Sequence, residues 1–212
     1  MNNIVRMLSV NQDFRMAVAD TRQIAVKALN AFTGTTGMRS LLQETITNCA
    51  LLSSINDAPS KISFSFRLSQ GLSIFCQISD AKFTMEYSAK INEFDGTAAD
   101  LFDDKSVVSV TTGNWETGIH TSTVEAYMDS VVMLFSHFTV QSEQLPSHII
   151  LGEDNASRGI LMQPLPFADN QLMGKAAYEL VYQAKEWGQL PWGQVPGRLS
   201  CLAKVISENT IE

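Results

Sequence analysis

The chain has 212 residues, 45% of them hydrophobic, and its 15 Lys and Arg against 22 Asp and Glu leave a formal net charge of −7. That is enough apolar material for one large domain, or a domain with a tail, and it excludes general disorder. With no Lys/Arg cluster to reverse the acidic balance locally, it also excludes nucleic acid and anionic membrane surfaces as natural partners.

The N-terminus lacks the apolar run of about 7–15 residues that a signal peptide needs, and no stretch approaches the ~18 apolar residues of a membrane span. A cytoplasmic protein is expected. Residues 4–10 and 14–19 alternate around Asn11-Gln-Asp13 as a hairpin does. Asp20, with Gln23 three residues on, reads as a capping box for a helix whose stripe is Ile24, Ala25, Ala28, Leu29 and Phe32, ended by Gly34. From Thr36 to Ile55 the apolar positions recur at helical spacing, and after Ile46 the polar face disappears. This stretch is expected to be a buried central helix, closing at Asn56-Asp-Ala-Pro59.

Three runs of period two follow at 62–68, 72–78 and 83–91, a meander with one wet face carrying Ser63, Ser65, Arg67, Lys82, Thr84, Glu86 and Lys90. A loop over 92–105, a strand over 107–112 and a turn over 113–118 come next. Ser122 with Glu125 forms a second capping box, predicting a helix with Met128, Val131, Val132, Phe135 and Phe138 on one stripe. Residues 148–151 and 159–165 flank a polar turn that includes Asn155-Ala-Ser157, with Pro164 confined to a strand end. Asp169 starts a helix with Leu172, Ala176, Leu180 and Ala184 inward; past Gly188 the chain reads as irregular, with a short helix over 199–206. The whole predicts an α+β fold, a β/α/β sandwich of antiparallel sheets around the central helix.

Nothing in the sequence points to an enzyme. Cys49, Cys76 and Cys201 are too dispersed for a zinc knuckle, so no metal or other cofactor is expected. Cys49 and Cys76 fall at core positions, and Cys201 is the candidate reactive thiol. His120, His137 and His148 show no ligand spacing, Ser79-Asp-Ala-Lys82 sits in a strand turn rather than at a helix start, and no phosphate loop, dinucleotide fingerprint or nucleophile elbow occurs.

Four stretches in order carry a family resemblance: Asp13-Phe-Arg-Met-Ala-Val-Ala-Asp-Thr21, the central helix, Phe138-Thr-Val-Gln-Ser-Glu-Gln-Leu-Pro-Ser147, and Gly159-Ile-Leu-Met-Gln-Pro-Leu-Pro166. Together they resemble the N-terminal domain of the thirty-three-kilodalton redox-regulated heat-shock chaperone family. Phe138 stands where that family usually has Tyr, Arg158 replaces the first of two glycines, and the Gly-rich turn between strands is reduced to Ser69-Gln-Gly71. The family's Cys-x-Cys and Cys-x-x-Cys zinc module, its redox switch, has no counterpart in this sequence.

The resemblance implies a chaperone-like domain over residues 1–167 and a helical, linker-like segment over 168–212. It implies an ATP-independent holdase for unfolded proteins in stress, here without the thiol and zinc switch; a non-chaperone interaction or regulatory paralogue is the alternative. Trp187 and Trp192, beside Gly and Pro, are the candidate client contacts. A homodimer, including one bridged by a Cys201–Cys201 disulfide, is a further expectation.

Overall fold

The computed structural model describes residues 3–55, 61–114, 118–153 and 155–207. The chain opens with the hairpin β1 (Ile4–Ser9) and β2 (Phe14–Asp20), then α1 (Arg22–Ala28) and the central helix α2 (Thr36–Ile55). The meander β3 (Lys61–Arg67), β4 (Ser73–Ser79) and β5 (Lys82–Tyr87) leads through the single turn α3 (Ala98–Leu101) to β6 (Val107–Asn114) and β7 (Gly118–Glu125). Helix α4 (Val131–Glu143) precedes the hairpin β8 (His148–Gly152) and β9 (Asn155–Pro164); α5 (Asn170–Tyr182), α6 (Ala184–Gln189), α7 (Val195–Ala203) and β10 (Val205–Ser207) follow among the described residues.

Two antiparallel five-stranded sheets result, ordered β10-β1-β2-β9-β8 and β5-β4-β3-β6-β7. Helix α2 lies between them. Its Leu42, Ile46, Cys49 and Leu52 share one apolar core with Ala17, Ala19 and Leu161 of the first sheet and Ile62, Phe64, Phe66 and Cys76 of the second. The close approach to the first sheet is set by small residues: a Cβ on Gly159 would stand 3.0 Å from both Leu51 Cδ1 and Thr47 Cγ2. Hydroxyls pin the same seam, with Thr21 Oγ1 2.7 Å from Thr47 Oγ1 and Thr47 Oγ1 donating to Ala156 O at 2.7 Å. Helix α4 joins the middle layer and packs Phe135 at a tilt against Phe64 and Phe66, with ring centroids 5.9 and 6.1 Å apart.

The first sheet is apolar on its other face too. Met7, Phe14, Met16, Val18, Ile150, Ile160 and Met162 meet Met173, Leu180, Trp187, Val195 and Leu199 there, so the C-terminal helices add a layer outside the β/α/β sandwich. Burial on both faces explains why β2 and β9 hold almost unbroken runs of buried residues instead of alternating ones. β10 pairs with β1, placing Ser207 opposite Met7, so the C-terminal segment also extends the sheet edge.

Local expectations fail where a strand outcompetes a helix signal or a turn signal. Ser122 and Glu125 lie in β7, not at a helix start; Thr121 and Thr123 hydrogen-bond across to Thr111 and Ser109 at 2.9 and 2.8 Å, a ladder of β-branched and hydroxyl residues that suits a strand. The helix begins later, where Ser130 Oγ accepts the Met133 N–H. Asp20 ends β2 and does not cap α1, whose N-cap is Thr21; α1 itself stops at Ala28, short of Gly34. β5 ends at Tyr87, before a 3₁₀ turn over Ala89–Glu93, and Asn155 to Ser157 belong to β9 rather than to a polar turn. Of the inward positions expected after Asp169, Leu180 and Ala184 are buried and Ala176 is half-buried, but Leu172 is exposed and Met173 and Ala177 face inward beside them. The expected helix over 199–206 starts at Val195 and gives way to β10 after Ala203, with Lys204 in the left-handed region. The expected closure at 56–59 and the centre of the turn at 115–117 lie outside the described residues.

Candidate functional site

A buried charge ties the C-terminal layer to the first sheet. Arg158 sits on β9 opposite Asp20 of β2, and its side chain is wholly buried. Its Nη2 donates to Asp20 Oδ2 at 2.6 Å, while Nη1 donates to the carbonyls of Trp187, Gly188 and Leu190 at 3.1, 3.0 and 2.7 Å. These carbonyls stand at the C-terminal end of α6, where orphan acceptors and the negative end of the helix dipole suit a guanidinium. Asn155 Nδ2 adds a bond to Gly188 O at 2.8 Å, and a Cβ on Gly152 would stand 3.1 Å from Gly188 Cα, so only glycines permit this contact.

Asp20 also receives Arg22, whose Nη2 lies 2.6 Å from Oδ2 but whose side chain is half in water. Burial works against the charge on Asp20, yet the hydrogen bonds from Arg22 and Arg158 and the positive charge of Arg158 outweigh it, holding the carboxyl below its ordinary value. The arginine that replaces a glycine in the resembled family therefore serves here as a clamp on the C-terminal helices.

Both tryptophans proposed as client contacts border this clamp. Trp187 is 0% exposed and donates its indole N–H to Leu180 O at 2.7 Å, so in this conformation it offers a client no surface. Its ring fills the second core, docking the C-terminal helices on the outer face of the first sheet. Trp192 is half-buried, with the Arg158 guanidinium 5.8 Å from its ring centre.

The two sequence motifs that follow α2 meet in space. Gln163 of β9, fully buried, donates to Glu143 Oε2 at 3.2 Å and Ser147 Oγ at 3.1 Å, and accepts from Arg15 Nε and Nη2 at 3.2 and 3.1 Å. Desolvation raises the Glu143 carboxyl above its ordinary value, against the opposing pull of Gln163 and Arg15. The motif residues thus join the end of α4 to the sheet, a structural task rather than a catalytic one.

The cysteines fall as expected by position: Cys49 and Cys76 are buried and Cys201 is exposed. Burial, then the hydrogen bond and charge of the adjoining Cys76, push the Cys49 thiol well above its ordinary value, away from reactivity. His120 and His137 share a shallow cleft of about 470 Å³ with Ser122 and Glu125, a meeting the sequence did not reveal because β7 was read as turn and helix. Among the described residues no group of three His, Cys, Asp or Glu side chains is placed to hold a metal ion, and no helix is long and apolar enough to cross a membrane.

The family model described as Hsp33 protein matches residues 2–195 of the chain. The fold is similar to the crystal structure of the 33 kDa chaperonin (heat shock protein 33 homolog) from Thermotoga maritima, with a TM-score of 0.66 and 12% identity, covering 94% of this chain and 75% of that one. No curated protein is matched significantly by the sequence.

Proposed function

This chain belongs to the Hsp33 protein family, and from that membership we propose that it is a chaperone of the holdase type, an ATP-independent cytoplasmic protein that binds unfolded polypeptides. The observation that carries the reading is the family match over residues 2–195. The geometry is consistent with it: the first sheet has an apolar face that the C-terminal helices cover, and single large apolar side chains such as Tyr178, Val181 and Tyr182 stand exposed on α5. Trp192 at the edge of the clamp is one contact residue; Trp187 joins it only when α6 leaves the sheet.

The thiol and zinc switch is not part of this reading. Within these 212 residues the cysteines number three, of which two are core residues on facing elements and the third lies on the outer helix α7. Residues 1–167 form the client-binding body in this proposal, and residues 168–212 a helical, linker-like segment that the Arg158 clamp engages at Trp187, Gly188 and Leu190.

The test is light scattering of a heat-denatured client, with and without ATP. A holdase suppresses the scattering in proportion to added protein and is indifferent to the nucleotide. Absence of protection at any ratio, including at elevated temperature, would leave a non-chaperone interaction protein as the reading.

A further inference from the structure

Among the described residues each sheet ends in two edge strands, β10 and β8 in the first and β5 and β7 in the second. Three of these edges are guarded. β10 has three residues; β8 has five, carries an irregularity between Leu151 and Gly152, and is packed by α5 and α6. β5 sets the charges of Lys82 and Glu86 on its exposed side. Short strands, bulges, coverage and edge charges all keep a further strand from adding.

β7 is open by comparison. It runs for eight residues, Gly118–Glu125, without Pro or Lys; its single charge is Glu125 at the end, and Ile119, Thr121, Thr123 and Val124 are β-branched. It pairs with β6 in one unbroken register, from Val107 opposite Glu125 to Asn114 opposite Gly118. Every second N–H and C=O of β7 therefore points away from β6, on a side where the sheet has no further strand. Ile119 is 81% exposed, and Val124 is the one buried residue along the strand.

The cleft of about 470 Å³ runs between this strand and α4, walled by His120, Ser122 and Val124 on one side and His137, Gln141 and Ser142 on the other. In strand addition, backbone bonds to an open edge hold an extended peptide, and a pocket alongside receives its alternate side chains. β7 and the cleft supply both.

We propose that the open edge of β7 captures an extended, uncharged segment of an unfolded polypeptide as a further strand of the second sheet. Side chains on one face of that segment enter the cleft, where imidazole, hydroxyl and amide groups favour Ser, Thr, Asn and Gln. Those on the other face lie beside Thr121 and Thr123, where β-branched residues fit. Glu125 at the strand end and the net charge of −7 disfavour acidic segments. The backbone supplies most of the recognition, so many sequences fit, as a binder of unfolded chains requires. That the segment belongs to an unfolded client rests on the chaperone reading; the open edge does not.

The test is fluorescence anisotropy of a labelled peptide of about eight residues, alternating Val and Asn, titrated with the full chain. Two further peptides carry N-methyl groups on alternate amides, one set for each edge, and Thr121→Lys places a charge on the strand. Expected are saturable binding to the wild type, a loss of about tenfold or more with one methylated peptide but not the other, and a similar loss in Thr121→Lys. Thr121→Lys should melt close to wild type; if it melts well below, the methylated pair alone decides. No binding of the unmethylated peptide, equal binding of both methylated ones, or undiminished binding by a folded Thr121→Lys overturns the proposal, and client protection by the same preparation leaves the chaperone reading standing. Peptide binding through one edge without client protection upholds the open edge and removes the chaperone reading. A free chain that self-associates, with Thr121→Lys monomeric and no peptide bound, assigns the edge to a second copy and overturns the proposal as well.

Discussion

At the scale of single residues, the charge on Arg158 decides whether the outer helices stay in place. Arg158→Ala would strip a donor from a buried carboxylate and from the carbonyls of Trp187, Gly188 and Leu190, and breaking a buried pair on one side costs about 3–5 kcal/mol. Arg22→Ala should cost about 1 kcal/mol or less, because the Arg22 side chain is half in water and leaves Arg158 in place on Asp20. Chemical denaturation followed by tryptophan emission measures both, and equal effects would refute the clamp. Because the Asp20 carboxyl is depressed in the fold, its contribution is complete above the unfolded value near 3.9 and is lost as pH falls through its folded value. Glu143 has the opposite sign: its carboxyl is raised, so its ionised form costs stability once pH climbs through the folded value. Glu143→Gln keeps an acceptor for Gln163 and should be at least as stable as wild type at pH 7, with any advantage fading toward acid; thermal melts at both pH values check it. Thiol titration of the native chain should find Cys201 alone reacting quickly, with Cys49 and Cys76 appearing only on denaturation.

At the scale of elements, α2 carries the architecture, and its consequence is sharp. Ala50 is fully buried between the sheets, so Ala50→Arg places an unpaired charge in an apolar layer at a cost of several kcal/mol, comparable with a whole domain's stability, whereas Lys90→Ala on the wet side should be nearly neutral. Circular dichroism melts of the two variants should differ widely; matching melts would mean that α2 is not enclosed. The bounds of α2 were legible because its apolar spacing runs through the whole of Thr36–Ile55, and the meander was legible because each strand has one wet face. β7 was not, since Ser122 and Glu125 imitate a helix cap while cross-strand hydroxyl pairs, invisible in a single stretch, decide for the strand. The C-terminal helices were obscured in another way: Gly188, Pro191, Gly193 and Pro196 punctuate them as a loop would, and their order comes from packing on a sheet face far away in sequence. The clamp was equally hidden, for Arg158 and Asp20 are 138 positions apart and only the β2–β9 register joins them.

At the scale of the whole molecule, this Hsp33-family chain has an outer helical layer held to its first sheet by an ion pair and carbonyl bonds, and the proposed function adds that its thiols do not switch it. Its activity should then follow temperature and abundance rather than oxidant. The most direct measurement is light scattering of a heat-denatured client with this protein added, in dithiothreitol and after treatment with peroxide. Equal protection in both is expected, because oxidation reaches Cys201 on α7 and leaves the buried Cys49 and Cys76 untouched. Protection that is weak in dithiothreitol and rises strongly after peroxide would contradict it.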